Sequence, residues 1–129
     1  MNRMLHTMLR VSDLPRSIKF YSEVLGMKML RTLEQSDDGY TLVFLGYGEE
    51  TETCVLELTY NHGVSEYSMG NAYGHIAIGV DNIIHSIAAI KKLGGKFTLD
   101  ATLLKGSNEV IAFLLDPDGY QIELIERSA

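Results

Sequence analysis

The hydrophobic and polar positions in the first half of the chain predict a strand, a helix and three further strands. Residues 5–11 alternate with the period of a strand, and one face has Leu5, Thr7, Leu9 and Val11 while the other has His6, Met8 and Arg10. Ser12 or Asp13 can cap a helix, and the apolar residues that follow recur at helical spacing for about three turns. The strands predicted after this helix are residues 27–33, 40–45 and 54–60.

The second half of the chain repeats this order of elements. Asp81 is expected to cap the helix and Gly94 to end it, because a glycine readily takes the left-handed conformation at a helix end. The buried stripe predicted for this helix is Ile83, Ile84, Ile87 and Ile90. The extended segments predicted around it are residues 74–80, 96–99, 103–105, 110–115 and 120–125, of which 96–99 and 103–105 are less regular.

This repeat predicts an α+β fold of two tandem βαβββ modules that form concave mixed sheets. Duplication of one supersecondary unit, which buries its apolar face against its copy, explains a repeat of this size. The 129 residues are expected to form a single domain, 1–129, with the modules at about 1–62 and 73–129. A polar connector without a clear period, about residues 61–72, lies at the boundary between the modules.

Each predicted module carries a histidine and a glutamate on the face opposite its apolar stripe. These are His6 and Glu57 in the first module and His75 and Glu123 in the second. Their spacing is similar, because Glu57 follows His6 by 51 positions and Glu123 follows His75 by 48. An unpaired carboxylate is costly to bury between apolar residues, so each glutamate needs a cation. Two imidazoles and two carboxylates suit a metal ion, and we expect all four to bind one.

Each of these residues also has a simpler interpretation when it is taken alone. A single histidine near a chain start is often a solvated surface residue, and a glutamate on an edge strand discourages aggregation. The matched positions in both modules favour the metal site, since two independent coincidences would otherwise be needed. His62 in the connector and His85 on the exposed face of the second helix are expected to be structural or solvated.

Arg10 and Asn61 are expected on the metal side of the first sheet, since each lies four positions after a predicted ligand. A cation and an amide beside a metal can hold a polar, acidic ligand. Spacing alone equally allows Arg10 to pair with a carboxylate of the sheet. Lys105 lies in a turn-like stretch with Gly106, and we interpret it as part of a basic loop over the site.

Composition and charge exclude several classes of function. A formal net charge of −6, without a cluster of Lys or Arg, disfavours a surface for nucleic acid or anionic membranes. Cys54 is the only cysteine, which excludes an internal disulfide and suits a reducing compartment. The sequence shows no apolar signal core and no stretch long enough to cross a bilayer, so a cytoplasmic protein is expected.

Four motifs together resemble the glyoxalase I family of the vicinal oxygen chelate superfamily. The resemblance covers nearly the whole chain and includes all four predicted metal ligands. It implies a homodimer with its two sites at the subunit interface, each formed by His6 and Glu57 of one chain with His75 and Glu123 of the other. The motifs are Met-Leu-Arg-Val after His6, Leu-Glu-Leu-Thr-Tyr-Asn around Glu57, Tyr-Gly-His-Ile-Ala around His75 and Asp-Pro-Asp-Gly-Tyr-Gln-Ile-Glu-Leu-Ile around Glu123.

The same resemblance implies lactoylglutathione lyase activity, which detoxifies methylglyoxal. The substrate is the hemithioacetal of methylglyoxal and glutathione, isomerised to S-D-lactoylglutathione through a metal-bound enediolate. The resemblance implies that Glu123 is the catalytic residue that moves the proton and that His75 also lies beside the substrate. It further implies that Arg10, Asn61 and the Lys105 loop hold the glutathione moiety.

Nickel is the expected metal, with cobalt possible and zinc less suited to activate the enzyme. Four protein ligands and two open positions give six-coordination, which differs from the usual tetrahedron of zinc. The chain also resembles the short bacterial form of the family, and this likeness implies activation by nickel or cobalt.

Other members of the superfamily provide the alternative functions. Extradiol dioxygenases and the enzymes that transfer a thiol to antibiotics use three protein ligands, whereas four are predicted here. Antibiotic-sequestering members carry no metal, so apolar residues would be expected at the ligand positions. The histidines and glutamates at those positions favour the isomerase.

Overall fold

A computed structural model of the chain describes residues 1–127 and shows the order strand, helix, three strands twice. No helix within this range is both long and apolar enough to cross a membrane. The elements are β1 (His6–Arg10), α1 (Leu14–Lys19), a π-helical turn (Phe20–Val24), β2 (Lys28–Gln35), β3 (Tyr40–Gly46), β4 (Val55–Asn61), β5 (Ile76–Val80), α2 (Ile83–Lys92), β6 (Lys96–Leu103), β7 (Val110–Leu115) and β8 (Gln121–Glu126).

The chain divides into two compact units, Met1–Ser68 and a second unit that begins at Met69. Each unit contains one four-stranded sheet, with strand order β1-β4-β3-β2 in the first and β5-β8-β7-β6 in the second. In both sheets the first strand is parallel to the last, and the other neighbours are antiparallel. The α+β class and the paired βαβββ order are therefore confirmed. The single domain over 1–129 and its module limits stay a prediction.

Each unit has its own core, formed by the apolar stripes of its strands and helix. Tyr21, Leu45 and Leu58 are completely buried in the first unit. In the second unit, Leu114 of β7 and Ile122 and Leu124 of β8 are completely buried. Ile83 of α2 is buried with them and is 1% exposed. Because successive strand residues point to opposite faces, the residues between these core positions are presented on the other face of each sheet. That face carries the predicted ligands.

The first helix begins as predicted but changes its geometry. Asp13 caps it by accepting a hydrogen bond from the backbone N–H of Arg16 at 3.1 Å. After Lys19 the chain widens into the π-helical turn, which ends before Gly26, where φ is +75°. Helical spacing in the sequence does not distinguish this wider turn from an α-helix, since the apolar residues recur in both.

Three details of the second unit differ from the predictions. Residues 96–103 form one strand instead of separate irregular segments, and register shifts on both sides of Leu99 explain the broken alternation. Asn82 caps α2 in place of Asp81, because the Asn82 side chain accepts from the backbone N–H of His85 at 3.0 Å. Ile84 is 63% exposed, since only Ile83, Ile87 and Ile90 face the sheet.

Candidate metal centre

His6 and Glu57 meet on one face of the first sheet. β1 and β4 are parallel neighbours, and their register pairs Met8 with Glu57, which places His6 diagonally across from the glutamate. His6 Nε2 lies 3.3 Å from Glu57 Oε1, with the two side chains 40% and 13% exposed. The ring of His6 also contacts Phe44 of β3 edge-on, with centroids 5.6 Å apart. We call His6, Phe44 and Glu57 the first cluster.

His75 and Glu123 have the same arrangement on the second sheet. The register of β5 and β8 pairs Ala77 with Glu123, so that His75 again precedes the paired residue by two positions. His75 Nε2 lies 3.1 Å from Glu123 Oε1, and the side chains are 44% and 12% exposed. His75 contacts Phe113 of β7 edge-on at a centroid distance of 5.3 Å. We call His75, Phe113 and Glu123 the second cluster.

The two phenylalanines were not predicted from the sequence. Phe44 is the cross-strand partner of Glu57, and Phe113 is the cross-strand partner of Glu123. Each ring is therefore held beside its glutamate by the sheet register, and its contact with the histidine limits the orientations of the imidazole. The signal that could have revealed them is their parity, since each belongs to the ligand face of the strand next to its glutamate.

The donor atoms of each cluster fit two ligands of one metal ion. Ligands about 2.1 Å from an ion, at neighbouring coordination positions, lie about 3.0 to 3.4 Å from each other. The histidine-to-glutamate distances of 3.3 Å and 3.1 Å fall in this range. A protonated imidazole paired with a carboxylate has a similar separation. No group of three or more His, Cys, Asp or Glu side chains that could hold a metal occurs within residues 1–127, so each cluster brings together one histidine and one glutamate.

The surroundings of the first cluster are polar. Thr59 Oγ1 donates to the second carboxylate oxygen of Glu57, Oε2, at 3.0 Å. The guanidinium of Arg31 lies over the ring of Phe44, 3.8 Å from its centroid. Arg31 also donates to both carboxylate oxygens of Glu50, at 2.7 Å and 3.1 Å. This bidentate pair raises the pKa of Arg31 and lowers the pKa of Glu50. It also keeps the guanidinium over the ring.

The second cluster has apolar neighbours at the corresponding positions. Ile125 follows Glu123 by two positions on β8, as Thr59 follows Glu57 on β4. Leu99 is the cross-strand neighbour of Phe113, as Arg31 is of Phe44. The two clusters therefore share their donors and aromatic ring but differ in what surrounds them.

The predicted substrate contacts lie in different units. Arg10 is on the exposed face of β1 with His6, and Asn61 ends β4 on the same side as Glu57. The side-chain amide of Asn61 donates to the hydroxyl of Tyr67 at 3.1 Å, so the connector holds this residue. Lys105 belongs to the second unit and is exposed in the turn between β6 and β7, as its sequence context indicates.

The remaining two histidines have other environments. His62 Nε2 is hydrogen-bonded to Thr41 Oγ1 at 2.8 Å, and its ring lies 5.6 Å from that of Tyr60. His85 is exposed in the first turn of α2. Their predicted structural or solvated roles agree with these positions.

The sequence matches the Glyoxalase/Bleomycin resistance protein/Dioxygenase superfamily over residues 3–124. It is 60% identical over 124 residues to a lactoylglutathione lyase of Salmonella typhimurium, with 96% of this chain and 92% of the relative covered. The two coverages show that the similarity extends over nearly the full length of both chains.

Two solved structures are similar to the chain in fold and sequence. The trypanothione-dependent glyoxalase I of Leishmania major has a TM-score of 0.87 and 53% identity, with 98% of this chain and 87% of that chain covered. Glyoxalase I of Zea mays has a TM-score of 0.95 and 48% identity over 98% of this chain, which spans only 45% of the maize chain. The chain therefore belongs to the Glyoxalase/Bleomycin resistance protein/Dioxygenase superfamily and, within it, to the metal-dependent glyoxalase I family.

Proposed function

We propose that this chain is a lactoylglutathione lyase, which isomerises the hemithioacetal of methylglyoxal and glutathione to S-D-lactoylglutathione and so detoxifies methylglyoxal. The observation that carries the proposal is the duplicated pairing of histidine with glutamate, at 3.3 Å in one sheet and 3.1 Å in the other, in the same register. Membership of the family and 60% identity to the Salmonella typhimurium enzyme support the reaction. Its setting is cytoplasmic, which fits the single cysteine.

Four ligands for one metal ion come, in this proposal, from the two clusters together. His6 and Glu57 supply one imidazole and one carboxylate, and His75 and Glu123 supply the other two. A homodimer would pair the first cluster of one chain with the second cluster of its partner, giving two sites. Within the described part of the chain, each cluster brings together one histidine and one glutamate and no third ligand-type side chain, which supports such a pairing.

The metal proposed for these ligands is nickel, with cobalt as the second choice. Two nitrogen and two oxygen donors suit divalent ions of the first transition series, and six-coordination leaves two positions for substrate. When bound, such an ion stabilises negative charge on two neighbouring substrate oxygens. The alignment with the Salmonella typhimurium enzyme covers 92% of that enzyme, and this similar length supports assignment to the short bacterial form of the family.

Glu123 is the proposed catalytic residue. Its carboxylate takes the proton from the carbon that bears sulfur, and the C–H electron pair becomes the carbon–carbon double bond of an enediolate. The same carboxylate returns the proton to the neighbouring carbon. The hydroxyl proton of the hemithioacetal passes to the former ketone oxygen, so that a thioester and a new hydroxyl form without net oxidation or reduction.

The glutathione moiety is assigned to Arg10, Asn61 and Lys105, and His75 lies beside the reacting part of the substrate. A guanidinium recognises a carboxylate through two parallel hydrogen bonds, and an amide both donates and accepts. Arg10 and Lys105 are both exposed side chains.

The test mixes methylglyoxal and glutathione with metal-free protein and follows thioester absorbance before and after addition of nickel, cobalt or zinc. We expect no turnover without metal, strong turnover with nickel or cobalt and little with zinc. Trypanothione serves as a second thiol, because the Leishmania major relative depends on it. Lack of thioester with every metal and with both thiols would reject the proposed reaction.

A further inference from the structure

The carboxylate of Glu57 has a different contact at each of its oxygens. Oε1 lies 3.3 Å from His6 Nε2, and Oε2 accepts a hydrogen bond from Thr59 Oγ1 at 3.0 Å. Thr59 follows Glu57 by two positions on β4, so their side chains share one face, and Thr59 is only 8% exposed. A hydrogen bond from a buried hydroxyl fixes the rotation of the carboxylate and occupies a lone pair on that oxygen.

The carboxylate of Glu123 has the histidine contact but no corresponding hydroxyl. Its Oε1 lies 3.1 Å from His75 Nε2. The residue two positions further on β8 is Ile125, whose side chain can donate no hydrogen bond. The second cluster therefore has the same histidine and glutamate as the first, but it lacks a residue that would restrain the second carboxylate oxygen of the glutamate.

We propose that Thr59 is a positioning residue that restricts Glu57 to metal binding and that the lack of a donor at Ile125 leaves Glu123 as the glutamate able to move a proton. This inference rests on the proposed function. A carboxylate that must accept and release a proton needs an oxygen that is not already held, whereas a permanent ligand gains from being fixed in one orientation. The two sheets supply equivalent glutamates, Glu57 and Glu123. In this proposal the residue two positions further along the strand, Thr59 or Ile125, determines whether the glutamate only binds the metal or also moves a proton.

The first experiment measures affinity for nickel in the absence of substrate, by competition with a chromophoric chelator. Thr59→Val keeps the shape of the side chain and removes its hydroxyl. We expect a loss of nickel affinity of about ten-fold, because removal of a group that orients a ligand commonly has an effect of this size. Thr59→Ser keeps the hydroxyl and removes the methyl group, so this variant should bind nickel like the wild type. Ile125→Val is the matched control in the second unit and should also leave the affinity unchanged.

The second experiment places the same hydroxyl beside Glu123. We expect Ile125→Thr to lower kcat about ten-fold or more with nickel affinity equal to or above that of the wild type. Circular dichroism is used to check that each variant is folded. If Thr59→Val does not fold, the kcat and nickel affinity of Ile125→Thr test the inference.

Three results would each overturn the inference. The first is an unchanged nickel affinity in folded Thr59→Val, and the second is a nickel affinity of Thr59→Ser as low as that of Thr59→Val. The third is an unchanged kcat in Ile125→Thr. The affinity measurement does not depend on turnover. A wild-type protein that binds nickel but forms no thioester would instead reject the proposed reaction, which keeps the two failures distinguishable.

Discussion

The two clusters differ less in their donors than in their neighbours. Both have a histidine and a glutamate at the same register of parallel strands and a phenylalanine across from the glutamate. The first cluster is surrounded by a hydroxyl and a guanidinium, from Thr59 and Arg31. The second has Ile125 and Leu99 at those positions. The repeated sheet thus preserves the pairing of histidine with glutamate, while the residues around the two pairs differ.

Strand β1 and its counterpart β5 show the same division. Arg10 of β1 follows His6 by four positions, and Gly79 of β5 follows His75 by four. The first sheet therefore presents a cation on its ligand face at the point where the second presents only backbone. In the proposed function, the first unit provides Arg10 and Asn61 for the thiol, whereas the second provides Lys105 for the thiol and Glu123 for the proton transfer.

The largest expected difference is between the two glutamates. Glu123→Gln should retain most of its nickel binding and lose turnover about 10²- to 10⁴-fold, the range that general acid–base catalysis contributes. Glu57→Gln should instead weaken nickel binding, with part of its turnover restored at high nickel concentration. The measurements are kcat at saturating nickel and nickel affinity by chelator competition.

The matched pair makes this prediction specific. Equal losses of kcat at saturating metal in both variants would show that the clusters share the proton transfer. A Glu123→Gln variant with a rate near that of the wild type would show that another group is the base.

The sequence predicted the face of the sheet on which each histidine and glutamate lies, because strand period and position specify it. Strand alternation placed His6 with Glu57 and His75 with Glu123 on faces opposite the apolar stripes, and the structure pairs them within 3.3 Å. The repeated order of strand, helix and three strands was also predicted, and the parallel pairing of β1 with β4 and of β5 with β8 brings each histidine to its glutamate. These features are properties of local sequence and of its repetition.

Features that depend on packing between strands were not predicted. Phe44 and Phe113 acquire their roles from cross-strand register, which alternation in a single strand does not specify. The register shifts beside Leu99 made one strand read as two segments. The exposure of Ile84 follows from the direction in which α2 faces its sheet, whereas its helical spacing suits either side of the buried stripe.

Arg10 and Gly79 give the next prediction. Arg10→Ala should raise KM for the hemithioacetal about ten- to a hundred-fold with little change in kcat, because a charge-assisted hydrogen bond to a carboxylate contributes about 1.5 to 3 kcal/mol. The matched control is Gly79→Ala, since a Cβ there would come no closer than 3.6 Å to the Arg127 side chain. A similar rise of KM in both variants would contradict the assignment of Arg10 to recognition of the thiol.

The two phenylalanines predict a smaller effect on stability. Phe44→Leu removes the edge contact with His6 and the stacking of Arg31, whereas Phe113→Leu removes the edge contact with His75 and no cation–π contact among residues 1–127. We expect the loss in free energy of unfolding to be larger for Phe44→Leu by about 0.5 to 1 kcal/mol, the value of an exposed cation–π contact. Urea denaturation measures both losses. Arg31→Met is the control, because in that background the difference between the two losses should become smaller by the value of the cation–π contact.

An effect of similar size on stability concerns one phenol group in each unit. The hydroxyl of Tyr47 donates to the carbonyl oxygen of Leu25 at 2.6 Å, and that of Tyr73 donates to the carbonyl oxygen of Gln121 at 2.9 Å. Burial raises the pKa of each group to about 12, and the charge of Asp116 adds to this shift for Tyr73. Although Tyr47 is 56% exposed as a residue, its hydroxyl is held against the backbone.

Because the pKa of each phenol is higher in the folded state than in the unfolded chain, where it is about 10, the folded protein binds the proton more tightly. The stabilisation is complete below about pH 10 and is lost as the pH rises towards 12. We therefore expect Tyr47→Phe and Tyr73→Phe each to lower the free energy of unfolding by about 1 kcal/mol at pH 8. In urea denaturation at increasing pH, the wild type should lose this advantage above pH 10, whereas a constant difference up to pH 12 would show that the phenol protons do not contribute.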